Sequence, residues 1–208
     1  MRTIVSSLQA TPRSRSRKPK LRAAFVCPGS QSDVTVYGNL LFVSAEAVSG
    51  RVDCGLGGVQ EEVSKDRARG IRIIDISDEK NPKVISDLRL EVHQPENRAA
   101  IADDPGAQNP VQGYAGHYCN VPTRTDPTIV ACSMIISGLR IFDIRDPAHP
   151  REVAYFNAPV RDHVAAAFFE PSPWAMSSPS FVPERKEIWY SDGFNGFFVV
   201  RVTNDVWK

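Results

Sequence analysis

Gly70-Ile-Arg-Ile-Ile-Asp-Ile-Ser-Asp78 and Gly138-Leu-Arg-Ile-Phe-Asp-Ile-Arg-Asp146 are two copies of one pattern, set 68 residues apart. A third copy, Gly196-Phe-Phe-Val-Val-Arg-Val-Thr-Asn204, starts 58 residues after the second. It carries Arg201 where the others carry Asp75 and Asp143. The first two agree further: Asn81-Pro82-Lys83 falls against His149-Pro150-Arg151. Each copy is a short run rich in Ile, Val and Phe led by a glycine, which reads as a β-strand. Asp78 and Asp146 follow, each with a proline soon after, which is turn chemistry. The chain then resumes as another strand, over 83–88 and 151–156.

Hairpin patterns lie upstream of each copy. Residues 34–37 and 40–43 flank Gly38-Asn39, a two-residue turn between strands. Strand-like stretches 114–121 and 128–135 flank 122–127, and 180–183 and 187–190 flank 184–186. Four antiparallel strands per repeat is the plan of a propeller blade. The chain has 16 Pro and 13 Gly in 208 residues, so few windows hold a three-turn helix. The expectation is an all-β chain of about three four-stranded antiparallel blades, roughly 28–90, 113–158 and 178–208. The third unit stops after its third strand, and the apolar stretch 21–26 reads as a lone strand that closes it. Closed propellers usually need at least ~4 blades. Three blades imply a fragment, an open fan, or half of a ring completed by a second copy.

Charge separates the N-terminus from the rest. Lys+Arg total 25 and Asp+Glu 24, a net of +1 that gives no reason to expect a nucleic-acid partner. Residues 1–32 nevertheless hold seven bases and no acid, which leaves the remainder at −6. Residues 1–20 read as a disordered basic arm, because so few apolar groups cannot offset the entropy of ordering. A solvated tail, an organelle-targeting segment and an arm for an anionic surface are the readings open for it. No run of ~18 apolar residues is present to span a membrane, and no secretory signal is visible in this chain.

The four cysteines suggest two disulfides. Cys119 and Cys132 sit symmetrically about the centre of their hairpin, so they fall opposite one another on paired strands. A Cys27–Cys54 bridge would pin the N-terminal segment to the first blade. Free buried thiols are the other reading. No C-x-x-C or close Cys/His spacing suggests zinc.

Candidate chemistry is sparse. His117 begins the second blade, where an innermost strand lines a propeller's channel, and Asp162-His163 precede the third. These three are the candidate binding residues, as a metal site or general base needs such groups to converge. A satisfied structural histidine is the competing reading. Asp75 and Asp143 recur in two of the three copies, which points to scaffold use: each accepts hydrogen bonds from a neighbouring turn or pairs with Arg72 or Arg140. The loop 91–112 is long and acidic, but Asp103 and Asp104 lack calcium-loop spacing. Gly55–Gly58 does not match a phosphate loop, and no hydrolase or zinc-protease motif occurs.

GIRIIDISDEKNPK and GLRIFDIRDPAHPREVAYF resemble the LVIVD-repeat family. VCPGSQSDVTVYGNLLFVSAEA and GHYCNVPTRTDPTIVACSMIISGLRIFDIRDP are also similar to segments of those proteins. The resemblance covers roughly 22–90 and 113–202. It implies a bacterial β-propeller, usually exported, hence extracellular or periplasmic, and it brings no assigned reaction. The sequence therefore leads to a non-catalytic propeller scaffold that binds a protein or surface ligand without a cofactor. The alternative is a propeller enzyme, a hydrolase or metal-dependent oxidoreductase, with a His/Asp site at the channel mouth.

Overall fold

The computed structural model describes residues 19–46, 49–108, 113–160, 172–203 and 205–207. Among them, eleven strands form three antiparallel sheets. The first holds β1 (Val34–Tyr37), β2 (Leu40–Ser44), β3 (Gly70–Asp75) and β4 (Lys83–Arg89) in that order. The second holds β5 (Cys119–Asn120), β6 (Ile129–Ser133), β7 (Leu139–Asp143) and β8 (Arg151–Phe156). The third holds β9 (Ser180–Val182), β10 (Glu187–Asp192) and β11 (Gly196–Arg201). The chain is all-β, and its sheets are open and built as propeller-type blades. The loop 91–112 is not featureless: it contains short 3₁₀ turns at Glu91–His93 and Arg98–Ile101 and one α-helical turn at Pro105–Gln108.

The repeat has a physical cause at each of its marks. A Cβ on Gly70 would lie 1.9 Å from Leu88 O, and one on Gly138 would lie 2.5 Å from Phe156 O. Leu88 and Phe156 hold equivalent places on the outer strands, so the leading glycine lets each outer strand close onto its neighbour. Both sheets then shift register at the same place, between Ile73 and Ile74 and between Ile141 and Phe142. The repeat carboxylates shape the turn that follows. Asp75 Oδ1 accepts from Ser77 N–H at 2.8 Å, and Asp143 Oδ1 accepts from Arg145 N–H at 3.0 Å. Asp78 and Asp146 repeat the device, accepting from Lys80 N–H and Ala148 N–H, both at 3.0 Å. Of the two alternatives for Asp75 and Asp143, the turn is found and the pairing with Arg72 and Arg140 is not. Both carboxylates are taken by their own turns, and both arginines bond elsewhere.

Each sheet interface has its own core. Phe42, Ile71, Ile73 and Leu88 of the first blade pack with Val130, Cys132, Met134 and Phe142 of the second. Ile129, Ala131, Leu139 and Ile141 turn the other way, onto Ile188 and Tyr190 of the third. Every residue of β6 is therefore buried, although strand side chains alternate between faces. The far face of the first sheet, with Val43 and Ile74, is covered by Cys54 and Cys27.

Two expectations need correction. Residues 21–26 form no strand, and Leu21 is 80% exposed. The Cys27–Cys54 disulfide and an Arg22–Glu79 ion pair at 3.4 Å hold this segment beside the first sheet, so it does not close the third, which has three strands. The strand expected over 114–121 is reduced to Cys119–Asn120. Beyond it, only single bonds continue the pairing, from His117 N–H to Ser133 O at 2.9 Å and from Ser133 N–H to Tyr118 O at 2.7 Å. The basic arm lies outside the described residues over 1–18.

Gly70→Ala and Gly138→Ala are each expected to destabilise the fold by about 1–3 kcal/mol, because a methyl group would strike backbone rather than a movable side chain. Gly57→Ala, which meets nothing within 4 Å, should change little. Chemical denaturation of the three variants under non-reducing conditions checks this, and equal midpoints would remove the steric account of the repeat glycine.

Candidate functional site

The first strands of the first two sheets, β1 and β5, are in contact. Thr35 Oγ1 of β1 donates to Cys119 O of β5. Asp33 precedes β1, Glu46 follows β2 and His117 precedes β5, so antiparallel pairing brings all three to one end of the sheets. Ser44 holds Asp33 there, with bonds from Asp33 N–H to Ser44 Oγ at 2.7 Å and from Ser44 N–H to Asp33 O at 3.0 Å.

His117 sits at the junction of all three units. Its Nε2 lies 2.8 Å from Glu46 Oε1 of the first, and its Nδ1 lies 2.8 Å from Met176 O, on the chain leading to the third. Both side chains of the pair are almost fully buried. The Met176 carbonyl can only accept, so Nδ1 donates to it, and protonation of Nε2 as well would make the ring an imidazolium ion-paired with Glu46. Burial alone would lower the His117 pKa, but the hydrogen bond and charge of Glu46, the Met176 carbonyl and the nearby Asp33 together raise it. Asp33 is itself raised by burial, against the pull of His117 and of a hydrogen bond from Tyr118. Burial also raises the Tyr118 hydroxyl, helped by the charge of Asp33.

Neighbouring bonds brace the junction. Ser133 Oγ donates to Ser177 O at 2.6 Å, and Asn120 Nδ2 donates to Pro179 O at 3.0 Å. These fasten the segment 172–179 onto the second blade and fix the carbonyl that His117 uses.

Of the expected site residues, His117 is central, whereas Asp162 and His163 lie outside the described residues. Cys119 and Cys132 are in register across β5 and β6 and are disulfide-bonded, as are Cys27 and Cys54. All four cysteines are thereby used. His149 occupies an exposed turn, with Nδ1 2.9 Å from Asp146 Oδ2. Asp104 caps the short helix by accepting from Gly106 N–H at 2.8 Å, and Tyr114 donates to it as well. Trp174 is buried and packs edge-on against Phe194, with centroids 5.2 Å apart. Sequence reading missed Glu46 and Asp33. The available signal was an acid directly after an apolar strand, in Ser44-Ala-Glu46.

Among the described residues, no group of three or more His, Cys, Asp or Glu side chains is placed to hold a metal ion. No helix among them is long and apolar enough to cross a membrane. No family model matches the chain, and a search of curated proteins finds no match.

The His117–Glu46 pair should leave a pH signature. The folded pKa of His117 lies above the ~6.5 of an unfolded histidine, so the pair contributes its full stability below that value. Its contribution is lost as pH rises from ~6.5 through the raised folded pKa. His117→Gln and Glu46→Gln should each cost about 3–5 kcal/mol at pH 6, since each strands a buried partner. The difference between wild type and His117→Gln should shrink at higher pH. Urea unfolding at pH 6 and pH 9 measures it, and a constant difference would contradict a charged His117–Glu46 pair.

Proposed function

We propose that this chain is a non-catalytic, propeller-type binding scaffold of the LVIVD-repeat kind. Its place is an oxidising compartment, extracellular or periplasmic, where it binds a protein or a surface ligand. One observation carries the reading. His117, the residue best placed for channel-mouth chemistry, spends both ring nitrogens on joining the three units. A general base needs a free nitrogen to take up a proton, and a ring whose two nitrogens face Met176 O and Glu46 Oε1 at 2.8 Å offers none.

Two further features support it. Four cysteines joined as two disulfides suit an oxidising environment. The repeated carboxylates Asp75 and Asp143, which a catalytic reading would have to explain, are used by turns.

Completion of the array by a second copy draws support from the third sheet. Trp189, Phe197 and Val199 share its outer face by strand register, and Phe197 is 60% exposed. This is the face that a following blade would cover.

Two measurements test the proposal. Wild type and His117→Gln, both confirmed as folded at low temperature, are compared on panels of ester, phosphoester and peptide hydrolysis and of dye-coupled oxidation. No turnover dependent on His117 is expected. Turnover that disappears in folded His117→Gln would replace the scaffold with the propeller enzyme. Light scattering after size exclusion tests the second copy. A mass of twice 23.0 kDa that falls to the monomer in Phe197→Glu is expected. A monomer across the concentration range would remove the homodimer and leave that face to another partner.

A further inference from the structure

Four arginines and a histidine gather at the edge of the first blade with too little negative charge among them. Arg67 and Arg69 lie on the chain entering β3, Arg89 ends β4, and His93 and Arg98 lie on the two 3₁₀ turns that follow. Arg67, Arg69, Arg98 and His93 are only 6%, 9%, 8% and 3% exposed. Their partners are neutral. Arg67 Nη2 donates to Val59 O at 3.1 Å, Arg69 Nη2 to Glu62 O at 3.3 Å and Arg98 Nη2 to Ala107 O at 3.2 Å. Arg67 Nε, Arg69 Nε, Arg98 Nη1 and both ring nitrogens of His93 are buried without a hydrogen-bond partner among the described residues.

The nearby acids do not balance this. Asp87 is held by Arg89 at 3.3 Å and is also within reach of the Arg72 charge. Glu61 and Glu62 act on Arg67, but both are exposed to solvent. The excess is felt inside the cluster. Burial, then the charges of Arg98 and Arg67, push Arg69 down to about 10. Burial and the charges of Arg69, Arg98 and Arg89 hold His93 down to about 3, so its ring is neutral. Buried cations that lack counterions are costly.

The repeat provides an internal comparison. Arg67, Arg69 and Arg89 correspond, at the offset of 68 residues, to Ile135, Ser137 and Asn157 of the second blade. The second blade forms the same sheet, with Ile135 and Ser137 buried. Building a blade therefore does not require these arginines, and their charge needs another explanation.

We propose that Arg67, Arg69, Arg98 and His93 form a binding site for a small oxyanion of the phosphate or sulfate class. Guanidinium groups match such oxygens with paired, charge-assisted hydrogen bonds. The neutral His93 ring supplies one more donor. The anion is either a free ion or a group carried by a larger molecule. For the second source, Arg89 also lines an open groove of about 700 Å³ beside Tyr155 and Glu152 of β8. This inference names a ligand class for the proposed scaffold, and it involves no chemistry at His117. Turnover at His117 would end the scaffold reading and leave the anion site standing.

The test uses the disulfide-intact chain in an anion-poor buffer. Inorganic phosphate, sulfate and phenyl phosphate are titrated by calorimetry and by thermal shift, against sodium chloride of equal ionic strength. The expected result is saturable one-to-one binding with a rise in Tm that chloride does not reproduce. Arg69→Gln and Arg98→Gln should weaken binding at least tenfold, and Arg145→Gln, in an exposed turn, should leave it unchanged. If the glutamine variants do not fold, Arg98→Lys keeps the charge, loses the planar fork and should still weaken binding tenfold. Phenyl phosphate binding tighter than phosphate would identify a group on a larger molecule, and the reverse a free ion. No saturable shift beyond chloride, or equal loss in Arg145→Gln, would overturn the proposal and leave water to satisfy these donors.

Discussion

A blade has two apolar faces and can bury neither alone, and the arrangement of this molecule answers that constraint. The second sheet is in the middle and satisfies it fully. Val130 and Cys132 face the first blade, while Ile129 and Ala131 face the third. Among the described residues no blade lies on the far side of the first sheet, and there the Cys27–Cys54 loop covers Val43 and Ile74. The third sheet presents Phe197 and Val199 outward. Among the described residues the two outer sheets therefore differ: the first is covered by its own chain, and the third presents an apolar face.

Apolar packing sets the sheets side by side but does not fix how their ends meet. The polar junction does that. Hydrophobic contact is non-directional, whereas the His117 ring must aim one nitrogen at Glu46 and the other at Met176 O. Removing charges from water is costly unless the geometry is good and the remaining donors are satisfied. Here each ring nitrogen faces an oxygen at 2.8 Å, and each contact reaches a different unit. The junction therefore specifies one arrangement of three blades, rather than simply adding cohesion to them.

Local chemistry was legible in the sequence, and long-range chemistry was not. The Gly38-Asn39 turn, the glycine-led strands and the opposition of Cys119 to Cys132 all follow from spacing within a few residues or within one hairpin. Recurrence marked Asp75 and Asp143 as scaffold residues but left their partner open between a turn and an arginine. In contrast, Glu46 lies far along the chain from His117, and nothing in its immediate surroundings names its partner. Leu21–Val26 failed for a related reason. An apolar stretch states a preference for extended backbone, but the disulfide at Cys27 decides which sheet it lies beside. Arg67 and Arg69 carry a weak signal, arginines alternating just ahead of an apolar strand. Their meaning needed Arg98, which arrives from a separate loop.

Arg72 shows how the covalent frame and the buried charges depend on one another. It occupies the same repeat position as Arg140, yet the two are solvated differently. Arg140 Nη1 reaches Glu152 at 2.8 Å, and the guanidinium lies over the Tyr155 ring at 4.8 Å. Arg72 is fully buried and faces Asp87 across the strand pair, where burial raises Asp87 to about 6 against the pull of Arg89 and Arg72. Its hydrogen bonds go instead to Arg51 O, at 2.9 Å from Nε, and to Pro28 O, at 2.8 Å from Nη2. Pro28 directly follows Cys27, and Arg51 lies three residues before Cys54. The disulfide thus closes the loop that supplies the carbonyls for a buried cation. With that link intact, the first blade can hold an arginine in its interior and still present a covered outer face. Without it, the same arginine would lose the fixed acceptors that make its burial tolerable. The dependence on the disulfide is therefore built into the electrostatics of the core as well as into the entropy of the loop.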